Sequence, residues 1–374
     1  MMLADGRGDT SILGRWWFTL DRWSLVALLV LLGFGGVLTL AASPAVAERI
    51  GLGPFSLAHQ QLLILPAACC ALIAASLLTP TWVRRLGVVG LGVCLVLLLL
   101  TLLFGDTFKG ATRWINILGF SLQPSELLKP AFVITAAWML SAGKEEAWFP
   151  GQTIAIGLFL LAAGLLMLQP DLGQTLLLSA VFGIQLFLAG LPIAAVAILA
   201  AGAVTAMVSA YFLFPHVRHR IDSFLDPEAG DRYQIDRSLE AFRSGGLFGQ
   251  GPGEGTVKHF LPDAHADFVF AVAGEEFGLI ACAVIVLLFA FVVLRGFGQL
   301  LQQDNLFVLL AAGGLLAQFG LQALINMGSA LHLIPTKGMT LPFLSYGGTS
   351  LLATAGGMGL LLALTRKRPP QEEA

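Results

Sequence analysis

Long apolar segments alternate with short polar stretches along almost the whole chain. A helix that crosses a bilayer needs roughly 20 consecutive, predominantly apolar residues, and ten segments approach or exceed that length. They are residues 24–43, 57–79, 83–104, 125–141, 153–168, 172–188, 192–214, 267–295, 306–331 and 345–364. This pattern predicts an all-α polytopic membrane protein with about ten transmembrane helices. Only Gln169, Pro170 and Asp171 separate the fifth and sixth segments, which could also be one broken helix.

The composition supports a membrane protein and excludes an ordinary soluble domain, because 57% of the residues are hydrophobic and only 12% are charged. We find neither a Walker loop nor a dinucleotide fingerprint and expect no nucleotide or organic cofactor. The glycine-rich stretch 249–255 follows no strand pattern and indicates a flexible turn. The net charge of −2 says little about partners, and we expect no nucleic acid among them.

Basic residues predict the orientation, since short cytoplasmic loops retain an excess of lysine and arginine. With ten spans, most flanking basic residues fall on one side, which makes both termini cytoplasmic. We therefore expect a single domain, 1–374, with a cytoplasmic N-terminal tail at 1–23, a large extracytoplasmic loop at 215–266 between helices 7 and 8, and a cytoplasmic C-terminal tail at 365–374. Lys109 and Arg113 oppose this rule, and function could hold them on the outer side.

Ionisable residues inside the apolar segments form the first candidate site. Pro124 is predicted to begin a helix on which Glu126 and Lys129, spaced i,i+3, share one face. Asp171 is expected at a helix N-terminus, where the helix dipole favours an anion. A purely structural interpretation competes, since buried charges persist by pairing. We favour an internal ion pair between Lys129 and Asp171, and Asp171 could also be only an N-cap.

Asp267 lies where the polar loop meets the eighth apolar segment, two residues after His265. A carboxylate there can keep partial contact with water and still be desolvated enough to raise its pKa, as a general base near neutral pH requires. The alternative is a helix N-cap that faces water. Glu275 and Glu276 lie further along the same segment, and at least one of them is expected to be structural.

Arg113 and Lys337 are candidate outward cations, suited to an anionic group held at the membrane surface. Lys337 stands alone among apolar residues between two prolines. Together with the carboxylates, these cations could serve either an enzyme or a transporter.

Five long motifs occur in a fixed order. They are RWINILGFSLQPSELLKP at 113–130, QPDLGQ at 169–174, GGLFGQGPGEG at 245–255, LPDAHADFVFAVAGEEFG at 261–278 and PTKGMTLPFLSYGGTS at 335–350. On these motifs the chain resembles the SEDS family (shape, elongation, division and sporulation) of peptidoglycan glycosyltransferases over nearly its whole length. The PTKG sequence at 335–338 makes it most similar to the division-type branch, FtsW, and less so to the elongation-type branch, RodA.

The resemblance implies a ten-helix fold that polymerises lipid II at the outer face of the cytoplasmic (inner) membrane, at the division septum. By similarity, Asp267 matches the essential aspartate of the family, and Lys337 matches its basic residue before the last helix. Glu126, Lys129 and Asp171 match its polar cavity. Ala266 departs from the usual threonine, which removes a hydroxyl beside the presumed base.

The family also implies partners, namely a class B penicillin-binding protein, which is a transpeptidase, and other divisome membrane proteins. The charged loop 218–258 looks mobile and is a plausible contact for an activating partner.

The chemistry of glycan extension suits these residues independently. A sugar hydroxyl attacks the anomeric carbon of a donor whose leaving group is undecaprenyl diphosphate, so the reaction needs one base and strong anion stabilisation. Asp267 would be the base of an inverting reaction, with Arg113 or Lys337 facing the leaving group. A divalent cation, Mg2+ or Mn2+, could bridge phosphate and Asp267, although the sequence predicts no metal cage of protein ligands.

Two other functions remain open. Intramembrane Glu126, Lys129 and Asp171 and a helix interrupted by proline would suit a lipid II flippase or transporter, with charges lining a path through the membrane. The chain could also be a scaffold of the division complex, with structural charges. The candidate residues concentrate toward the outer half, which favours the enzyme.

Overall fold

The computed structural model describes residues 11–108, 111–117, 120–213, 218, 222, 233–335 and 338–367. Lys337, Lys109, the ends of both predicted tails and most of 214–232 lie outside these ranges.

Twelve α-helices account for most of the described residues. They are α1 (Ile12–Thr19), α2 (Arg22–Arg49), α3 (Ser56–Ser76), α4 (Pro80–Phe104), α5 (Pro124–Glu145), α6 (Gly151–Leu168), α7 (Leu172–Leu188), α8 (Ile193–Leu213), α9 (Tyr233–Gly245), α10 (Val269–Leu300), α11 (Leu306–Ala330) and α12 (Gly348–Leu364). Each of the ten predicted apolar segments overlaps one helix from this set, and α1 and α9 are additional. Among the described helices, six are long and apolar enough to cross a membrane, namely α2, α3, α4, α6, α10 and α11.

Local sequence explains several helix boundaries. Thr79 caps α4 by accepting a hydrogen bond from Trp82 N, and Pro80 occupies the first turn, where its missing N–H costs nothing. The prediction that Pro124 begins a helix is confirmed by α5. Helices α6 and α7 are separate, so the alternative of one broken helix is resolved in favour of two. Pro170 lies between them with a φ of 28°.

A small antiparallel sheet, which the sequence analysis did not predict, connects α4 to α5. Its strands are β1 (Asp106–Phe108), β2 (Ala111–Ile117) and β3 (Phe120–Leu122), with β2 in the centre. Strand β2 carries Arg113, and β3 ends just before α5, so the sheet brings that cation toward the helix that carries Glu126 and Lys129.

Helices α5 and α11 form the centre of the bundle, with most of their residues buried. Glycines allow the closest approaches around them, as is common between membrane helices. A Cβ added at Gly35 on α2 would lie 2.0 Å from the carbonyl oxygen of Phe343, and one at Gly359 on α12 would lie 2.4 Å from that of Leu72 on α3. The segment 338–347, which precedes α12, is therefore packed directly against α2.

The predicted extracytoplasmic loop is folded from Tyr233 onward. Helix α9 packs on α10, and Ser238 Oγ on α9 donates a 2.7 Å hydrogen bond to the carbonyl oxygen of Ala330. A 3-10 turn, Val257–His259, follows. The expectation of a mobile loop over 218–258 is therefore wrong for its second half, because apolar contacts and buried hydrogen bonds hold this part.

Helix α10 is interrupted at Gly278, whose φ of 78° and ψ of 178° are not helical. The interruption frees backbone groups that the neighbouring loop then satisfies. Leu279 N donates to Gly246 O at 3.0 Å, and Gln250 N donates to the carbonyl oxygen of Glu275 at 2.9 Å. Loop and helix thus share a backbone hydrogen-bond network around the interruption, as buried polar groups require.

Replacing Gly278 with alanine is expected to destabilise this junction strongly. A Cβ there would lie 2.4 Å from Gly249 N and 2.4 Å from Leu247 O, in a backbone conformation that side chains rarely adopt. Strain and overpacking together predict a loss of about 2–5 kcal/mol of unfolding free energy. Denaturant unfolding in detergent measures the loss. Gly298→Ala in the same helix is the control, because nothing lies within 4 Å of its added Cβ, and equal losses would contradict this account.

Candidate active site around Asp267

Asp267 lies just before α10 and is half-buried. Its amide donates to the carbonyl oxygen of Asp263 at 3.0 Å, which closes a tight turn with Asp263 at a φ of 51°. The N-cap residue of α10 is Phe268, and no side-chain cap is formed there. The interpretation of Asp267 as a helix N-cap is therefore wrong.

Three hydrogen bonds join the turn of Asp267 to α11 and to the segment that precedes α12. Asn326 Nδ2 on α11 donates to the carbonyl oxygen of Asp267 at 2.9 Å. Ser345 Oγ donates to Ala266 O at 2.5 Å, and Tyr346 N donates to His265 O at 2.8 Å. Distant parts of the chain therefore fix the backbone of residues 265–267, and the Ala266 position contributes through its carbonyl group.

The side chain of Asp267 approaches Gly338. A Cβ added at Gly338 would lie 3.5 Å from Asp267 Oδ2, and Gly338 has a φ of 58°. Lys337, the preceding residue, lies outside the described residues, so its predicted role as a cation stays a prediction. The Asp267 carboxylate thus faces Gly338, the residue that follows the predicted cation Lys337 in the sequence.

Gly338→Ala is expected to lower kcat by about tenfold, because the new methyl group would lie in van der Waals contact with Asp267 Oδ2 and exclude water or a substrate hydroxyl from that side of the carboxylate. Backbone strain alone would also affect the protein. Gly246→Ala controls for strain, since Gly246 has a φ of 57° and nothing lies within 4 Å of its added Cβ. Steady-state kinetics of both purified variants test the prediction, and an equal effect on kcat would show that the contact with Asp267 is not the cause.

His265 is a neutral hydrogen-bonding group in this site. Burial lowers the pKa of its imidazole, and the nearby Asp263 carboxylate opposes this shift only partly. The ring centroid lies 5.0 Å from that of Tyr346, and His265 Nδ1 has no hydrogen-bond partner within the described ranges. The imidazole is therefore neutral at neutral pH and unsuited to neutralising a phosphate.

Tyr346 closes one side of the site. Its hydroxyl donates to Gln60 Oε1 on α3 at 2.8 Å. Burial raises the pKa of the phenol, so the hydroxyl remains a donor at neutral pH. Neither Tyr346 nor Gln60 was singled out from the sequence, because nothing local in it indicates that α3 meets the residues before α12.

Glu126 and Lys129 share one face of α5, as their spacing predicted, and they form a buried ion pair. Lys129 Nζ lies 2.9 Å from Glu126 Oε2 and donates to Gln322 Oε1 at 2.8 Å. Gln174 Nε2 donates to Glu126 Oε1 at 2.6 Å. The favoured pair of Lys129 with Asp171 is wrong, because Lys129 already has a closer carboxylate on its own helix face.

Asp171 pairs instead with Arg113. Arg113 Nη1 lies 3.7 Å from Asp171 Oδ1, and the guanidinium also donates to the carbonyl oxygens of Gln169 and Pro170. Asp171 is the N-cap residue of α7 but makes no side-chain cap. One quarter of the Arg113 side chain is exposed. The sheet therefore directs Arg113 onto the interruption between α6 and α7, and part of its charge remains accessible.

Glu275 and Glu276 are both structural. Glu275 accepts hydrogen bonds from the amides of Val257 and Lys258, at 2.6 and 2.9 Å. Glu276 pairs with the Lys258 ammonium and accepts from Gly253 N at 3.1 Å. Lys258, which the sequence analysis overlooked, is 1% exposed and also donates to the carbonyl oxygen of Ala41 on α2 at 3.0 Å. The three charges hold the glycine-rich loop against α10, so this loop is not simply a flexible turn.

Comparison with known proteins adds independent information. Residues 22–369 match the family FTSW_RODA_SPOVE, described as cell cycle protein. The chain is 45% identical over 368 residues to the probable peptidoglycan glycosyltransferase FtsW of Caulobacter vibrioides, covering 98% of this chain and 94% of the relative. It is 37% identical to the protein of the same name from Geobacter metallireducens over 362 residues, covering 93% of this chain and 96% of the relative.

Solved structures show the same fold. A chain from a study of how a peptidoglycan synthase complex coordinates polymerization and crosslinking aligns with a TM-score of 0.78 and 28% identity, covering 93% of this chain and 98% of that one. The rod shape determining protein RodA of Thermus thermophilus aligns with a TM-score of 0.67 and 27% identity, covering 93% and 97%.

Proposed function

The chain belongs to the FtsW, RodA and SpoVE family of cell cycle proteins and is a peptidoglycan glycosyltransferase of the division type, and from this premise we propose that it polymerises lipid II with Asp267 as the general base. The observation that carries the proposal is the placement of Asp267. Its half-buried carboxylate lies just before the N-terminus of α10, on a turn that α11 and the segment before α12 hold in place.

The proposed topology places this site at the outer face of the cytoplasmic membrane. Besides the six long apolar helices, α5, α7, α8 and α12 would also cross, giving ten spans in one domain. Both termini would then be cytoplasmic, and the loop 215–266 between the seventh and eighth spans would be outside. The basic residues Arg15, Arg22, Arg84, Arg85 and Lys367 fall on the cytoplasmic side in this arrangement, as the positive-inside rule requires. The division-type family suggests the septum as the location.

In the proposed reaction, the hydroxyl of the acceptor sugar attacks the anomeric carbon of the donor. Asp267 takes the hydroxyl proton as the new glycosidic bond forms, and the bond to undecaprenyl diphosphate breaks with its electron pair leaving on the phosphate oxygen. One carboxylate suffices if the configuration inverts. His265 lies two residues before Asp267, and its neutral imidazole would help to shape the sugar-binding site. When both sugars are held beside a fixed base, the bimolecular reaction becomes effectively unimolecular, which lowers its entropic barrier.

The leaving diphosphate requires positive charge. Arg113 supplies a partly exposed guanidinium, although Asp171 and two carbonyl groups already use some of its donors. Lys337 precedes Gly338, the residue beside Asp267, and is the second proposed cation. The proposed cavity contains Glu126, Lys129 and Asp171, whose side chains mostly bind other protein groups. We propose that they form a polar surface of the cavity and do not bind the diphosphate directly.

A divalent cation, Mg2+ or Mn2+, fits this site only if protein and substrate hold it together. The described residues contain no cluster of three or more histidine, cysteine, aspartate or glutamate side chains that could hold a metal. Asp267 together with diphosphate oxygens of the donor could hold one, which is the mode that Mg2+ commonly uses. Such an ion would supply charge neutralisation at the leaving group.

The proposed partner is a class B penicillin-binding protein that crosslinks the new strands. A structural relative of this chain comes from a peptidoglycan synthase complex that couples polymerization with crosslinking. Further divisome membrane proteins would complete the assembly. The first half of the loop, including Arg218 and Asp222, stays the proposed contact for an activating partner.

The test is strand formation from purified lipid II by this protein in complex with its transpeptidase partner, read out on gels with a fluorescent donor. Strands support the enzyme. A transbilayer assay in proteoliposomes runs in parallel. If lipid II crosses the bilayer but no strands form under any cation condition, the flippase is favoured. If the protein shows neither strand formation nor transbilayer movement, the scaffold is favoured.

A further inference from the structure

Helix α11 presents two buried amides toward the proposed site. Gln322 and Asn326 are 2% and 1% exposed, and their i,i+4 spacing places them on one face of the helix. Neither was singled out from the sequence, and neither belongs to the charged residues of the site.

Asn326 joins the two segments that meet at the site. Its Nδ2 donates to the carbonyl oxygen of Asp267 at 2.9 Å and to that of Met339 at 2.6 Å. Met339 follows Gly338, the residue beside the Asp267 carboxylate. One carboxamide therefore fixes Asp267 and the segment that faces it to the same point on α11.

Gln322 links the buried ion pair to the same segment. Its Nε2 donates to the carbonyl oxygen and the hydroxyl of Thr340, at 3.0 and 3.2 Å. Its Oε1 accepts from Lys129 Nζ at 2.8 Å, and Lys129 is paired with Glu126. A continuous chain of hydrogen bonds thus runs from α5 to Thr340, the residue after Met339.

We propose that Asn326 and Gln322 are positioning residues for glycosyl transfer, and that the Lys129–Glu126 pair acts through Gln322 on the segment 338–340. This inference rests on the proposed role of Asp267 as the base. A base must lie within hydrogen-bond reach of the proton it removes, and a misplacement of about 1 Å can cost roughly 10²-fold in rate. The amides supply this placement without touching the substrate.

Gln185 on α7 provides a matched control. It is fully buried, and its Nε2 donates to two backbone carbonyl oxygens, Val133 O at 2.8 Å and Leu310 O at 3.2 Å. The side-chain oxygens of Gln185 and Asn326 both lack a partner within the described ranges. Removing either amide therefore deletes the same kind of interaction, but only Asn326 holds Asp267.

The first experiment compares Asn326→Ala with Gln185→Ala in the complex with the transpeptidase partner. We expect similar drops in Tm, a fall in kcat of the order of 10²-fold for Asn326→Ala, and a change of at most about threefold for the control. The KM for lipid II should stay within about threefold in both, because no substrate contact is lost. Gln322→Ala should lower kcat by an intermediate factor. Equal kcat values for Asn326→Ala and Gln185→Ala, or an effect confined to KM, would overturn the proposal.

A second variant covers the case in which Asn326→Ala does not fold. Asn326→Asp keeps the size of the side chain, and when protonated it can still donate one hydrogen bond. Only the protonated carboxyl carries a donor, so the ratio of variant to wild-type kcat should fall as the pH rises and the proton is lost. The charged groups on the contacting segments, Asp267, Lys129 and Glu126, are the same in both proteins, so their titration largely cancels in the ratio.

Gln185→Glu is the control for this pH profile and should give a ratio that does not fall with pH. A flat ratio for Asn326→Asp would overturn the proposal. Asp267→Asn is measured alongside to separate the two hypotheses. If Asp267→Asn stays active, the proposed base is wrong, whereas an inactive Asp267→Asn with Asn326 variants that match their controls refutes only the positioning role.

Discussion

Glycan-strand formation from lipid II is expected to stop when Asp267 is replaced with asparagine. The amide has nearly the same size and can keep the backbone bonds of the turn, including the one from Asn326 Nδ2 to the carbonyl oxygen of residue 267. It cannot accept the proton of the attacking hydroxyl at neutral pH. A positioned general base contributes roughly 10²–10⁴-fold, so kcat should fall by about that factor.

The control is Asp263→Asn, which removes the same charge four residues earlier. Asn tolerates the left-handed conformation that Asp263 adopts, with a φ of 51°. Both variants are purified with the transpeptidase partner, compared by size-exclusion chromatography and Tm, and assayed for strands. We expect Asp263→Asn to retain most of the activity. Equal strand formation by wild type and Asp267→Asn would remove Asp267 as the base.

The second large effect is expected at the buried pair of Lys258 and Glu276, whose side chains are 2% and 0% exposed. Glu276→Gln would leave the Lys258 ammonium in the interior without its counter-charge. Removal of one partner from a buried pair typically costs about 3–5 kcal/mol, and we expect a loss in this range. Activity should fall as well, because Lys258 immediately precedes the segment that leads to Asp267.

Glu240→Gln is the matched control, since it makes the same chemical change in an exposed pair. The side chains of Arg237 and Glu240 in that pair are 34% and 51% exposed. Exposed pairs contribute about 0–1 kcal/mol. Denaturant unfolding in detergent compares the two variants. The double variant Lys258→Met, Glu276→Met should recover much of the loss, because it buries no unpaired charge. Similar losses in Glu276→Gln and Glu240→Gln would show that burial does not govern this pair.

The helices were predictable because their cause is local and repeated. About 20 apolar residues in succession have few stable arrangements in a bilayer other than a helix. Pro124 marked the start of α5, because the first turn of a helix does not need the N–H that proline lacks. The interruption at 169–171 allowed two helices or one broken helix, and the structure shows two. The i,i+3 spacing of Glu126 and Lys129 likewise fixed their shared face.

The errors arose where partners are distant in sequence. The sequence favoured a pair of Lys129 with Asp171 and predicted no carboxylate partner for Arg113, because no local rule says which carboxylate a sheet or a helix face will approach. Lys258 was overlooked because a lysine just after a glycine-rich stretch normally faces solvent. Its burial depends on contacts with α2 and α10 that only the folded chain makes.

By itself, the sequence determined that the chain is a helical membrane protein with ionisable residues within and beside its apolar segments, and its motifs selected Asp267 as the candidate base. Periodic apolarity and the cost of charge in a membrane are properties of short segments, so they can be recognised without a structure. The tertiary structure decided that Asp267 precedes α10 without capping it, faces Gly338 and is held by Asn326. Those relations join residues up to 71 positions apart, and only the packing of α10, α11 and the segment before α12 brings them together.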